Sequence, residues 1–272
     1  MTESWRLKAE RAKHHLQDIY TMMRTYEASH PYTAERVVQP KSQKHIWRYV
    51  LRVTEQPDPM LSILIGDFIH NIRSALDHIA VAISAPNRWS SAGFPISQVD
   101  IWAHDAQGNF VVGDDDARES FLSRIKGMDE TAKTIIESLQ PYCNVPGEGE
   151  AQTLTVLSRL ENADKHRSLI AVGGGVKNGT TIVTARGDRL EQDAFGYRDD
   201  GAEIAKFAPA GPAFAGLTEA EVNVEVSGPT VIAIYAGRGE DRVKYAARPC
   251  LDSMVVALDG ILTSLEPYVV TR

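Results

Sequence analysis

Residues 58–86 read DPMLSILIGDFIHNIRSALDHIAVAISAP, and this stretch decides the fold. Asp58 can cap free helical amides and Pro59 suits a first helical position. Pro86 ends the run, so the stretch reads as one helix of about 26 residues, a rod of roughly 39 Å. Leu61, Ile65, Phe68, Ile69, Ile72, Leu76 and Ile79 make it apolar enough to sit in a core. Asp67, His70, Asn71, Arg73, Ser74, Asp77 and His78 run through the same segment. At about 100° per residue they share one side over about three turns, opposite the apolar arc. A polar side chain in such a helix needs a partner or costs a few kcal/mol. The stripe is therefore either a buried structural network or a site, and the sequence leaves both readings open.

Outward from this helix the chain reads as α+β. Residues 2–28 form an amphipathic helix with Trp5, Leu16, Ile19, Tyr20 and Met23 on its inner face. A polar connector with Pro31 and Pro40 leads to a half-buried strand at 46–55, where Trp47, Tyr49, Leu51 and Val53 alternate with polar residues. After an irregular region at 87–114, residues 115–139 read as helical with a break near Gly127, and another helix runs from 148–150 to about 168. Residues 169–186 and 222–236 are rich in β-branched residues and Gly, the composition of antiparallel strands. The Gly, Pro and Asp content of 196–212 reads as a loop, and 242–246 as a short strand. An apolar-striped helix, 250–269, follows. The expectation is one α+β domain over 1–272: a mainly helical part (1–168), a β-rich part (169–247) and a C-terminal helix (248–272). Its architecture is a helical bundle around one long central helix, with an antiparallel sheet from the C-terminal half.

The composition bounds the function. The chain has 272 residues and a net charge of −7, which argues against a surface that grips nucleic acid non-specifically by neutralising phosphates. The two cysteines, Cys143 and Cys250, are too few for a disulfide framework and read as thiols of a reducing compartment. The first eight residues lack the apolar run of a secretory signal, and no segment approaches the ~20 apolar residues of a membrane span. A cytoplasmic protein with no membrane partner is expected. Gly173-Gly174-Gly175 is no phosphate loop, because no Gly-Lys-Ser/Thr follows. No Gly-x-Ser-x-Gly elbow occurs, and neither cysteine has a nearby His.

A second constellation, Asp164-Lys165-His166-Arg167, closes the helix that ends near residue 168. Val156, Leu157, Leu160 and Ala163 define that helix's apolar arc, and Asp164 and Arg167 fall within it. Spaced three apart, they can pair and complete the stripe on the other helix.

Arg73 and His78, with four residues between them, match an Arg-x4-His pattern that resembles the motif of HEPN-type helical ribonucleases. Arg24 to His30 and Arg159 to His166 fit the looser spacing, but Arg73–His78 alone lies deep in a long helix beside further polar groups. The wider phrase 66–78, with Phe94-Pro95-Ile96, Gln140-Pro141-Tyr142 and Asp164-Lys165-His166-Arg167, also resembles a group of uncharacterised bacterial and phage proteins. The HEPN resemblance implies a metal-independent endoribonuclease without cofactor, a homodimer with an RNA substrate, of toxin or phage-defence type. It implies that His78 moves a proton at the ribose 2′-hydroxyl or the leaving oxygen, and that Arg73 holds the scissile phosphate. Asp77 or His70 would orient the imidazole or supply a second acid–base group. Asn71, Ser74, Lys165 and Arg167 are the expected substrate contacts. Two alternatives stand beside it. One is a non-catalytic binding or structural protein with a buried Asp/His/Arg network. The other is a metal-dependent hydrolase using Asp67, His70 and Asp164; His70 and His78, about 12 Å apart along a helix, cannot share one ion.

Overall fold

The computed structural model describes residues 3–37, 46–103, 115–143, 149–166, 171–186, 188–208, 216–236 and 243–270. It is an α+β structure whose sheets pair antiparallel throughout. The helices are α1 (Ser4–Ala28), α2 (Met60–Ala82), α3 (Asp115–Ile125), α4 (Glu130–Ser138), α5 (Gly149–His166) and α6 (Ala247–Leu265). The strands are β1 (Tyr32–Val37), β2 (Trp47–Val53), β3 (Ala171–Ala185), β4 (Asp188–Asp199), β5 (Glu203–Phe207), β6 (Val222–Ser227), β7 (Thr230–Ala236) and β8 (Val243–Ala246). Among the described residues, no helix is long and apolar enough to cross a membrane.

α1 buries Trp5, Ala9, Ala12, Leu16, Ile19, Met23 and Tyr26. The alternating spacing of four and three is the seam that lets a straight helix lie along a neighbour. α1 packs on α2 and α6. Arg6, Lys13, Tyr20 and Glu27, one heptad apart, meet Glu266, Asp259, Asp252 and Arg248 in turn. The descending partner numbers make α1 and α6 antiparallel. These exposed pairs set register more than stability, at about 0–1 kcal/mol each.

α2 begins where expected: the Asp58 carboxylate accepts from the Met60 amide at 2.8 Å. It buries residues on most of its sides and packs against α1, α5 and α6. Gly66 lets α5 come close, since a Cβ there would lie 2.8 Å from Asp164 Oδ1.

Two hydrophobic cores result. The first joins α1, α2, α3, α4, α5 and α6 with Ile232 and Ile234 of β7. The second, Trp47, Tyr49, Leu51, Val176, Val183, Phe195, Ile204 and Ala205, lies among the strands. The 15-residue β3 organises the larger sheet. β4 lines one edge, and β7 and then β6 line the other. Gly228 breaks what would be a single strand of β6 and β7: its φ is +141°, and a Cβ there would sit 2.7 Å from Gly179 Cα.

Two segments depart from the expectation. The polar connector contains β1, paired with β2 in the register Tyr32↔Val53 to Val37↔Arg48. Tyr32 and Ala34 pack on the second core while Thr33 and Glu35 face solvent, a two-residue alternation masked by the flanking prolines. The described part of the loop expected at 196–212 instead carries the end of β4 and all of β5, turned by Gly201 at φ +79°, and 209–212 lie outside the described residues. β5 pairs with β2, so a sheet in the order β1-β2-β5 joins two early strands to a late one.

The three consecutive glycines of β3 are tyrosine slots. A Cβ on Gly174 would lie 2.0 Å from the Tyr26 hydroxyl, and those on Gly173 and Gly175 would meet Tyr235 and Tyr197. The Tyr26 hydroxyl donates to the Glu55 carbonyl at 2.9 Å, and burial pushes this phenol up to about 12.

Candidate functional site

The polar stripe of α2 divides into three parts. The most fully hydrogen-bonded is the Arg73–Asp77 pair, one helical turn apart. Arg73 Nη2 donates to Asp77 Oδ1 at 2.9 Å and to the Phe94 carbonyl at 2.7 Å. Asp77 Oδ1 also accepts from the Phe94 amide at 3.0 Å. Both main-chain polar groups of one residue are thus held by one ion pair. The Phe94 ring is fully buried. Burying it draws the peptide in with it, and an unpaired buried amide or carbonyl would cost about 1–3 kcal/mol. Arg73 Nε further approaches Glu161 of α5 at 3.7 Å, with each side chain only 12% exposed.

Gln140, also fully buried, continues the same clamp along the loop. Its Nε2 donates to the Pro95 carbonyl at 3.1 Å and the Ile136 carbonyl at 2.8 Å, and its Oε1 accepts from the Ser97 amide at 2.8 Å. The two motifs at Phe94-Pro95-Ile96 and Gln140-Pro141-Tyr142 thus meet in space, tied to α2 through Arg73 and Asp77.

The second part faces elsewhere. Asn71 is buried, and its Nδ2 donates to the Asp67 carbonyl at 2.8 Å, one turn back on its own helix. His70 is exposed, and its Nε2 lies 3.4 Å from Ser74 Oγ. Asp67 is exposed and acts on His15, a buried histidine of α1. Burial holds the His15 imidazole below its ordinary value, Arg11 lowers it further, and Asp67 and Asp18 oppose both.

His78 is the third part. It is half-buried, and its Nδ1 is enclosed without a hydrogen-bond partner. Arg73 and Glu161 line a cleft of about 290 Å³, and His78 is not among the residues around it. Arg73 and His78 thus occupy different flanks of α2, as their five-residue separation requires.

Asp164 contacts α2 at Gly66, the inward placement expected of it. Arg167 lies outside the described residues, as does the side chain of Lys165, so the expected pairing and phosphate contacts of this segment do too. Glu161, Gln140 and the Phe94 peptide were not read from the sequence as site groups. Glu161 had a signal: it lies seven residues after Leu154 and four after Leu157, which sets it between these two apolar side chains on the helix surface. The Phe94 peptide had none, because a backbone group carries no residue-type signature. Among the described residues, no group of three or more His, Cys, Asp or Glu side chains is gathered to hold a metal ion, Asp67, His70 and Asp164 included.

No family model, curated protein or solved structure matches the chain.

Proposed function

We propose that the protein is a non-catalytic binding protein, in which the Arg73–Asp77 pair is a structural network that fixes the 93–97 loop beside a ligand cleft. The observation that carries this reading is the double hold on Phe94: Arg73 spends its Nη2 donor on Asp77 and the Phe94 carbonyl and turns Nε toward Glu161. Both Nη2 N–H groups are thereby tied to the fold and the nearby Glu161 carboxylate offsets the guanidinium charge, which favours a structural role for Arg73. The experiment that tests it is incubation of labelled RNA with the wild type and a folded His78→Ala variant, with and without EDTA. The binding reading expects no cleavage under any condition.

A second reading is favoured by one observation, the unpartnered Nδ1 of the half-buried His78. An imidazole nitrogen with no hydrogen-bond partner leaves the ring's tautomer unfixed, so either ring nitrogen can carry the proton an acid–base group must move. In this reading the chain is a HEPN-like, metal-independent ribonuclease acting as a homodimer. His78 would be the acid–base group and Arg73 the phosphate-side charge, supported by His70, Asp77, Asn71, Ser74, Lys165 and Arg167. Cleavage that survives EDTA, is lost in His78→Ala and leaves 2′,3′-cyclic phosphate ends would establish it and overturn the binding reading.

A further inference from the structure

The cleft that Arg73 borders is walled by four elements. α2 contributes Arg73, the 93–97 loop Ser97, α3 Ser120 and Arg124, and α5 Ser158 and Glu161. At about 290 Å³ it stands at the lower edge of small-molecule sites, which run from about 300 to 1,000 Å³. Its two arginines are in different states. Arg73 is a fixed part of the wall, bonded to Phe94 and Asp77. Arg124 is exposed, and its guanidinium makes no hydrogen bond or ion pair among the described residues. It reaches over Gly93 toward the Arg73–Asp77 pair: a Cβ on Gly93 would lie 3.3 Å from Arg124 Nη1 and 3.3 Å from Asp77 Oδ1. The Ser120 and Ser158 hydroxyls likewise make no hydrogen bond among the described residues. Among the described residues, the cleft therefore offers an unspent planar fork of N–H donors with two unspent hydroxyl donors beside it.

We propose that this cleft binds the oxyanion end, a phosphate or carboxylate group, of a small molecule, with Arg124 as its principal contact and Ser120 and Ser158 as flanking donors. The fork geometry of a guanidinium matches two oxygens of one oxyanion, and hydroxyls complete the remaining acceptor sites. The size of the cleft limits the ligand to a small molecule. With a net charge of −7 over the whole chain, attraction of an anion has to come from this local arrangement. The proposal deepens the binding reading above and rests on it. It assigns Arg73 the task of shaping the wall, and Arg124 the task of meeting the ligand.

The test is an amide-shift titration of the full chain with inorganic phosphate and, separately, with acetate at constant ionic strength. Saturable shifts around Ser97, Ser120 and Ser158 with at least one probe are expected, and the probe that saturates more tightly identifies the group. Arg124→Gln should weaken binding at least tenfold without lowering the melting temperature, and Arg124→Lys should fall between it and the wild type. Lys126→Gln, an exposed neighbour outside the cleft, should leave binding unchanged. Shifts that never saturate, or binding equally tight in Arg124→Gln, would overturn the proposal. The RNA assay separates the two failures: no anion binding and no RNA cleavage removes this site alone, whereas RNA cleavage lost in His78→Ala removes the binding reading beneath it.

Discussion

Arg73 and Asp77, one turn apart on α2, close together on the two main-chain polar groups of Phe94, the carbonyl at 2.7 Å from the guanidinium and the amide at 3.0 Å from the carboxylate. The arrangement follows from burying Phe94. A ring with no exposure brings its own backbone out of water, and the nearest helix then has to supply a donor and an acceptor at i, i+4 spacing. This gives two of the seven stripe residues a physical reason to be where they are, without reference to catalysis.

The clamp extends to Gln140, whose amide serves the next stretch of the same loop. Gln140→Ala would strand the Pro95 carbonyl and the Ser97 amide and leave a void in a closed site. Chemical denaturation should show a loss of about 2–4 kcal/mol. A loss below about 0.5 kcal/mol would mean that water replaces the side chain and the loop is not held as described.

Gly174 is expected to be intolerant for a reason unrelated to phosphate binding. Its missing side chain is the space that the Tyr26 phenol occupies. Gly174→Ala should cost about 1–3 kcal/mol by overpacking, and only part of that cost should disappear in the double variant with Tyr26→Phe, because the hydroxyl is removed while the ring carbon Cζ, 2.9 Å from the added Cβ, remains. Thermal unfolding of the two single variants and the double variant checks it.

His15 gives the helical core a pH dependence of known sign. Burial, aided by Arg11, holds its folded-state pKa below the ordinary 6.5, so the unfolded chain takes up this proton first. Its contribution is complete above about pH 6.5 and is lost as pH falls through that value toward the lower folded one, at no more than about 1.4 kcal/mol per pH unit. Unfolding free energies of the wild type and His15→Leu, measured from pH 7.5 to 5, should diverge in that window, the variant falling less. Parallel curves would contradict the assignment.

How much of this was legible in the sequence depends on the period of each signal. The inner face of α1 was readable because Trp5, Leu16, Ile19 and Met23 recur at helical spacing. Tyr20, grouped with them, sits instead at the half-exposed seam with Asp252. β1 was not readable, because Pro31 and Pro40 punctuate a strand whose inward residues include only Tyr32 and Ala34. In the site, periodicity placed the polar residues on one side of α2. Their five-residue separation set Arg73 and His78 at the two edges of that side, but what each edge meets depends on where α3, α5 and the 93–97 loop pack. Periodicity could not find Phe94 as a partner, because a peptide group 17 residues from Asp77 is brought there only by the burial of its ring. Arg124 lay on a helix whose sequence had no polar stripe to single it out.

The central claim, that Arg73 and Asp77 act as one structural unit, is tested most directly by a double-mutant cycle. Urea unfolding would be measured for the wild type, Arg73→Gln, Asp77→Asn and the double variant. Because each partner removed leaves the other half-buried and Phe94 half-served, each single variant should lose about 1–3 kcal/mol. The cycle should give a coupling of about 1–3 kcal/mol. Single variants within about 0.5 kcal/mol of the wild type, with no coupling, would contradict the account and return Arg73 to the list of groups free to act on a substrate.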